Sequence, residues 1–275
     1  MKYNYFSKNG SILPVEQATI PLSNIEYSYG FGVYETIRVV NRVPYFLKDH
    51  LERLAESARI IELEHLYSGD FVGQAIAELI DKNNVDTCNL KLLLMGGLTK
   101  EDASLYILCL NPLFPDKKLY RDGVKCITHH YERAFPHAKT LSMLGSYLAY
   151  RKAKHAGAYD ALLINRNEYI TEGTRTNFFC IQGKTIISPK EEDILPGVTK
   201  KMLMRVASGN GYTIMESRVA LSDVKRYDGA FLTSTSSKLL PIRTIDEIVF
   251  PVTPTALREL MILFDAFLEH TNKSP

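Results

Sequence analysis

Hydrophobic positions change their period along the chain, and the changes mark its elements. Thr36–Val40 is β-branched, Asn41-Arg42 supplies a turn, and Val43–Phe46 returns as a second strand. Leu47, Leu51, Leu54, Ala58 and Ile61 then recur at spacings of four and three, predicting an amphipathic helix. His50, Arg53 and Ser57 fall on a neighbouring stripe of that helix. Phe71–Asp81 reads as a further helix, and Leu90–Met95 and Ser104–Leu110 as buried strands.

Asn111–Asp122 carries two prolines and a run of charge, which predicts a boundary between domains at 1–115 and 120–275. Beyond it, Val124–Tyr131 has a strand pattern, and Gly145–Ala156 a helical one that stops at Gly157. Asp160–Asn165, Tyr169–Thr171, Asn177–Gln182 and Thr185–Ser188 form a strand series joined by short polar turns. A helix over Val198–Ser208 opens after Pro196-Gly197. Tyr212–Val219, Gly229–Thr233 and Leu240–Asp246 read as strands, and Ala256–Glu269 as a last amphipathic helix. Strands grouped with a few helices, without regular βαβ alternation, predict an α+β fold. Gly30-Phe31-Gly32 lacks the further glycine of a dinucleotide motif, so a Rossmann reading fails.

Composition narrows the function classes. A hydrophobic fraction of 45% and a charged fraction of 23% over 275 residues are globular values. The net charge of +2, with no basic cluster among aromatics, argues against nucleic acid. Apolar runs such as Leu92–Met95 are too short to span a bilayer, and Met1–Gln17 lacks the order of a signal peptide. A cytoplasmic protein without membrane partners is expected. Cys88, Cys109, Cys126 and Cys180 show no Cys-x-x-Cys spacing and read as buried thiols. The tight pair His129-His130 would point to opposite faces of a strand, so no metal is expected.

Five stretches carry chemistry: Tyr29–Arg38 (YGFGVYETIR), His50–Arg53 (HLER), Ala138–Leu148 (AKTLSMLGSYL), Asp160–Phe179 (DALLINRNEYITEGTRTNFF) and Leu195–Thr199 (LPGVT). Together, in this order, they resemble the fold type IV enzymes of pyridoxal phosphate (PLP). That family holds D-amino-acid aminotransferases, branched-chain aminotransferases and aminodeoxychorismate lyases. The resemblance runs from about Tyr29 to Asp246.

The resemblance implies a two-domain α+β fold of the D-amino-acid aminotransferase type, with the cofactor in the interdomain cleft. It implies Lys139, in the C-terminal domain, as the catalytic lysine that holds PLP as a Schiff base and shuttles protons. Glu172 matches the glutamate on the pyridine nitrogen, and Tyr34 a tyrosine beside the cofactor. For the phosphate, the matches are Arg53, Val198 and Thr199 at a helix start, and Ser234 and Thr235 in a following loop. Taken singly, each of these residues is more often structural; the weight lies in the set.

Departures bear on substrate. Phe31 stands where members often have Asp. Leu144, five residues past the lysine, replaces the Tyr usual in branched-chain enzymes and agrees with the D-amino-acid enzymes. Glu35-Thr36 also departs from the branched-chain Glu-Gly. Met95-Gly96-Gly97 lacks the Arg-Gly with which D-amino-acid enzymes hold a substrate carboxylate. Arg175 is the candidate for that task, with Lys91, Lys100 and Arg38 as alternatives. The implied activity is amino transfer between an α-amino acid, D or of broad type, and a 2-oxo acid, in a homodimer. Alternatives are a lyase that releases pyruvate, an L-branched-chain aminotransferase, and a PLP-binding relative without turnover.

Overall fold

A computed structural model describes residues 3–112 and 114–271 of the chain. Met1, Lys2, Leu113 and residues 272–275, which the expected domain ranges include, lie outside the described residues. The fold is α+β, in two compact units: Met1–Leu113 with Ala138–Met143, and Phe114–His137 with Leu144–Pro275.

The first unit is built on a six-stranded antiparallel sheet. Its strands are β1 (Tyr5–Lys8), β2 (Ser11–Pro14), β3 (Gly32–Val40), β4 (Val43–Pro44), β5 (Cys88–Met95) and β6 (Ser104–Leu110), in the order β2-β1-β6-β5-β3-β4. Three helices accompany it: α1 (Ile25–Ser28), α2 (Leu47–Ile60) and α3 (Gly69–Lys82). Alternation along β3 turns Val33, Ile37 and Val39 into the core, where they meet Leu54 and Ala58 of α2 and Ile76 and Leu79 of α3. Each fully buried Leu or Ile here contributes about 1.5–3 kcal/mol. Ser68 caps α3 by accepting a hydrogen bond from the Phe71 N–H at 3.2 Å.

The β1–β2 hairpin was not expected from the sequence pattern, although Asn9-Gly10 at its tip is a strong hairpin signal. Both residues take positive φ, 51° and 84°. The expected strand over Val43–Phe46 keeps only Val43–Pro44. Phe46, at a φ of 52°, turns the chain into α2 instead.

The second unit holds a ten-stranded mixed sheet. In chain order its elements are α4 (Lys117–Asp122), β7 (Val124–His130), α5 (Leu144–His155), β8 (Asp160–Ile164), β9 (Tyr169–Gly173), β10 (Asn177–Gln182), β11 (Thr185–Ser188), α6 (Val198–Ser208), β12 (Thr213–Glu216), β13 (Val219–Ala220), β14 (Gly229–Ser234), β15 (Lys238–Ile245), β16 (Ile248–Val249) and α7 (Thr255–Thr271). The path runs β12-β11-β10-β14-β15-β7-β8-β9-β13, with β16 on β15. One extra pair, Glu172 with Asn177, joins β9 back to β10 and closes part of the sheet on itself. Phe178, Cys180, Leu232 and Leu240 are among the side chains that fill its interior.

One expected strand is divided in this unit, and the stretch expected as a boundary holds a helix. The strand expected over Tyr212–Val219 is divided, because Thr213–Glu216 pairs with β11 while Val219–Ala220 pairs with β9 at the other end of the path. The expected boundary at Asn111–Asp122 contains α4, whose cap Asp116 accepts from the Lys118 N–H at 2.7 Å.

Placement of Lys139 also differs from expectation. The segment Ala138–Met143 belongs to the first unit, not to the C-terminal one. Backbone pairing explains it: Thr140 bridges Val33, the Leu141 N–H donates to Gly32 O at 2.8 Å, and the Tyr34 N–H donates to Lys139 O at 2.9 Å. Among the described residues, no helix is long and apolar enough to cross a membrane.

Candidate active site

Glu35 is a carboxylate on the core-facing side of β3, fully buried between Val33 and Ile37. An ion there must be paired and hydrogen-bonded to persist. The stripe of α2 that carries His50, Arg53 and Ser57 supplies the partners. Arg53 donates from Nε to Glu35 Oε1 at 2.7 Å and from Nη2 to Oε2 at 2.8 Å, a forked pair that engages one edge of the guanidinium. His50 Nδ1 lies 2.8 Å from Glu35 Oε2.

Burial pushes the Glu35 carboxyl up, but the Arg53 charge and the hydrogen bonds of His50 and Arg53 outweigh it and hold the pKa at about 2. Burial lowers the pKa of His50, against the pull of Glu35 and with the help of Arg53 and Lys139. His50 is therefore neutral at pH 7 and donates from Nδ1 to the carboxylate.

Ser57, one turn beyond Arg53 on the same stripe, accepts a hydrogen bond from the Lys139 N–H at 3.1 Å. With the Tyr34 N–H on its carbonyl, Lys139 has its backbone fixed on both sides. Its ammonium lies 4.4 Å from the centroid of the Tyr34 ring, and that of Lys91 lies 3.4 Å from the same centroid. The Tyr34 hydroxyl donates to Met143 Sδ at 3.1 Å. The first unit thus gathers Tyr34, Arg53 and Lys139, together with Glu35, His50 and Lys91.

In the second unit the closing strand pair is itself the centre of a polar group. Glu172 Oε1 accepts from Arg133 Nη1 at 2.9 Å, and Oε2 from the Leu195 N–H at 3.2 Å and Asn177 Nδ2 at 3.4 Å. The Glu172 side chain is only 4% exposed. Asn177 Nδ2 also donates to Leu195 O at 2.9 Å, which fixes the approach to Pro196-Gly197 and α6.

Gly197 caps α6 and, being glycine, makes no side-chain cap bond to its first turn. A Cβ at Gly197 would collide with Asn177 Oδ1, so only glycine fits beside that amide. Val198 is buried and Thr199 half-buried at the helix start. On its other side Asn177 pairs with Thr233; the half-buried Ser234 ends β14 and the half-buried Thr235 begins the turn after it. Ser234 Oγ lies 2.7 Å from Ser237 Oγ and accepts from the Ser237 N–H at 3.1 Å, forming a tight turn.

Arg175 lies in the loop between Glu172 and Asn177. It is exposed, and its guanidinium carbon stands 3.9 Å over the ring of Tyr150 on α5. In the second unit Asn177 thus meets Glu172, Leu195 and Gly197 and pairs with Thr233. Val198 and Thr199 follow Gly197 in the chain, Ser234 and Thr235 follow Thr233, and Arg175 stands over Tyr150. Sequence reasoning missed the parts played by Glu35, Arg133 and Asn177. The Arg53 and Ser57 spacing signalled the helix stripe, but no local pattern signalled that Arg133 would meet a carboxylate 39 residues away.

Comparison with known proteins identifies the family. The family model for amino-transferase class IV matches residues 32–245. A probable branched-chain-amino-acid aminotransferase of Rickettsia felis is 28% identical over 86% of this chain and 86% of its own length. A D-alanine aminotransferase of Listeria monocytogenes is likewise 28% identical over 86% of each chain. Among solved structures, a T.th. branched-chain amino acid aminotransferase with pyridoxamine 5'-phosphate superposes with a TM-score of 0.90. It is 25% identical, and the match covers 100% of this chain and 96% of that one.

Proposed function

The chain belongs to the class IV aminotransferase family, and from that premise we propose that it moves an amino group between an α-amino acid and a 2-oxo acid with PLP held by Lys139. The observation that carries the assignment is the seating of Lys139. Its backbone is anchored to β3 and α2, and its ammonium is directed over Tyr34.

The residues present fit PLP. Lys139 offers an amine, and Glu172 a carboxylate fixed by Arg133 and the Leu195 N–H. The start of α6, where a Cβ at Gly197 would collide with Asn177, offers backbone donors for a phosphate. When bound, PLP supplies an electron sink for charge developing at the substrate Cα.

Each residue then has a task set by its chemistry. Lys139 Nζ takes the proton from the substrate Cα, acting as general base and afterwards as acid. Glu172 holds a proton on the ring nitrogen, and Arg133 keeps its carboxylate aimed. Arg53, oriented by Glu35 along one guanidinium edge, serves the phosphate, as do Val198 N–H, Thr199, Ser234 and Thr235. Tyr34 packs beside the lysine. Arg175 takes the substrate carboxylate.

As donors we assign D-amino acids or a broad set of α-amino acids. Support comes from the D-alanine aminotransferases among the relatives and from Leu144 five places after the lysine. In the same reading the enzyme is a cytoplasmic homodimer. The absorption spectrum of PLP-loaded protein before and after D-alanine, with L-leucine in parallel, tests the activity. Conversion of the long-wavelength cofactor band to that of the amine form with D-alanine is expected. Conversion by L-leucine alone would reassign the donor, and a band that neither changes would overturn amino transfer from these donors.

A further inference from the structure

Asp160 opens β8, a strand whose five residues, DALLI, are all buried. A leucine or valine would suit such a position, and a carboxylate there costs several kcal/mol unless it is well satisfied. Its oxygens accept from one local N–H, Ala161 at 2.9 Å, and otherwise from a single turn. Thr174 donates to Oδ1 from Oγ1 at 2.5 Å and from its backbone N–H at 3.3 Å, and Thr176 donates from Oγ1 to Oδ2 at 3.0 Å.

Those two threonines flank Arg175. With Thr174 and Thr176 drawn inward to the carboxylate, the residue between them faces out, where it stacks on Tyr150. The Gly173 N–H closes the turn on Thr176 O at 2.8 Å. A Cβ at Gly173 would lie 2.6 Å from Asp160 Oδ2 and would collide with Thr176 Oγ1, so the carboxylate is seated directly under the turn. Glu172, at the head of the turn, has its own anchors in Arg133 and the Leu195 N–H. Loosening the turn therefore reaches Arg175 before it reaches Glu172.

We propose that Asp160 is a positioning residue, which through Thr174 and Thr176 fixes the direction in which Arg175 meets the substrate carboxylate. This rests on the reading of Arg175 given above. Burial raises the pKa of Asp160 above the ordinary value, with the two threonine hydroxyls, the Arg175 charge and the Ala161 N–H opposing the rise.

The test uses the PLP-loaded enzyme and three variants, Asp160→Asn, Thr176→Val and Arg175→Ala. Affinity for pentanoate, an unreactive monocarboxylate, is read alongside donor KM, kcat and PLP affinity. Asp160→Asn and Thr176→Val are each expected to weaken pentanoate binding and raise donor KM about tenfold, with kcat and PLP affinity changed far less. Combined with Arg175→Ala, either should add nothing, since both act through one group. If Asp160→Asn does not fold, the milder Thr176→Val decides.

Full pentanoate affinity in Asp160→Asn and Thr176→Val, with affinity lost in Arg175→Ala, overturns the positioning role alone. So do losses that simply add to those of Arg175→Ala. Full affinity in Arg175→Ala overturns the reading of Arg175 itself, and the positioning role with it.

Discussion

Glu35 owes its charge to its neighbours, and that makes the first unit sensitive to acid. Its pKa of about 2 in the fold lies below the ordinary value of 4.5. Its contribution, about 3 kcal/mol, is thus present above pH 4.5 and is lost as the pH falls toward 2. His50 acts in the same direction: its pKa is lowered from 6.5, so the unfolded chain takes the proton first and stability declines below that pH. Denaturant unfolding followed across pH should show stability falling from pH 6.5 and faster below 4.5. Stability that is flat from pH 4.5 to 2 would contradict the pairing. Glu35→Gln at pH 7 should cost about 3–5 kcal/mol, because Arg53 and His50 lose their buried partner.

Residue-scale legibility divides along the same lines. His50, Arg53 and Ser57 stood out because helical spacing alone puts them on one stripe. The carboxylate that binds two of them sits on another element, and no spacing rule reaches it. Arg133 and Asn177 were hidden for the same reason, since their roles arise only once β9 and β10 pair.

Among the elements, α6 joins fold to site most directly. Its glycine cap lies against Asn177 with no room for a methyl group. Gly197→Ala should push the helix start away from Asn177 and weaken PLP binding about tenfold, with a smaller loss of overall stability. A fluorescence titration with PLP checks it; unchanged affinity would remove the start of α6 from the phosphate site. Strands and helices with strong periodicity, such as α2, α3 and β5, were readable because burial of one face dictates the pattern. The β1–β2 hairpin was not, since its strands are four residues each and β2 has no buried residue. Tyr212–Val219 looked continuous because a change of pairing partner at Ser217-Arg218 leaves hydropathy undisturbed.

On the scale of the whole molecule, chain order misled where pairing decided. Lys139 follows the proline-rich stretch at Asn111–Asp122 and so read as C-terminal, yet its segment adds to the edge of the first unit through Gly32, Val33 and Tyr34. The family, by contrast, was legible from five motifs in order, because each motif is a local requirement of one chemistry. Assembly belongs to this scale as well. Leu144, Tyr147 and Leu148 leave an exposed apolar surface along α5. Light scattering of the purified protein should give twice the chain mass of 31.2 kDa, and a monomer at micromolar concentration would contradict the homodimer.

Everything proposed for the chemistry turns on Lys139 as the lysine that holds the cofactor. Borohydride reduction of the PLP-loaded protein, followed by peptide mapping by mass spectrometry, tests it without reference to turnover. A single pyridoxyl-modified peptide is expected, labelled at Lys139 and absent from Lys139→Ala. A label on Lys91, the other ammonium over Tyr34, or no stoichiometric label at all would contradict it.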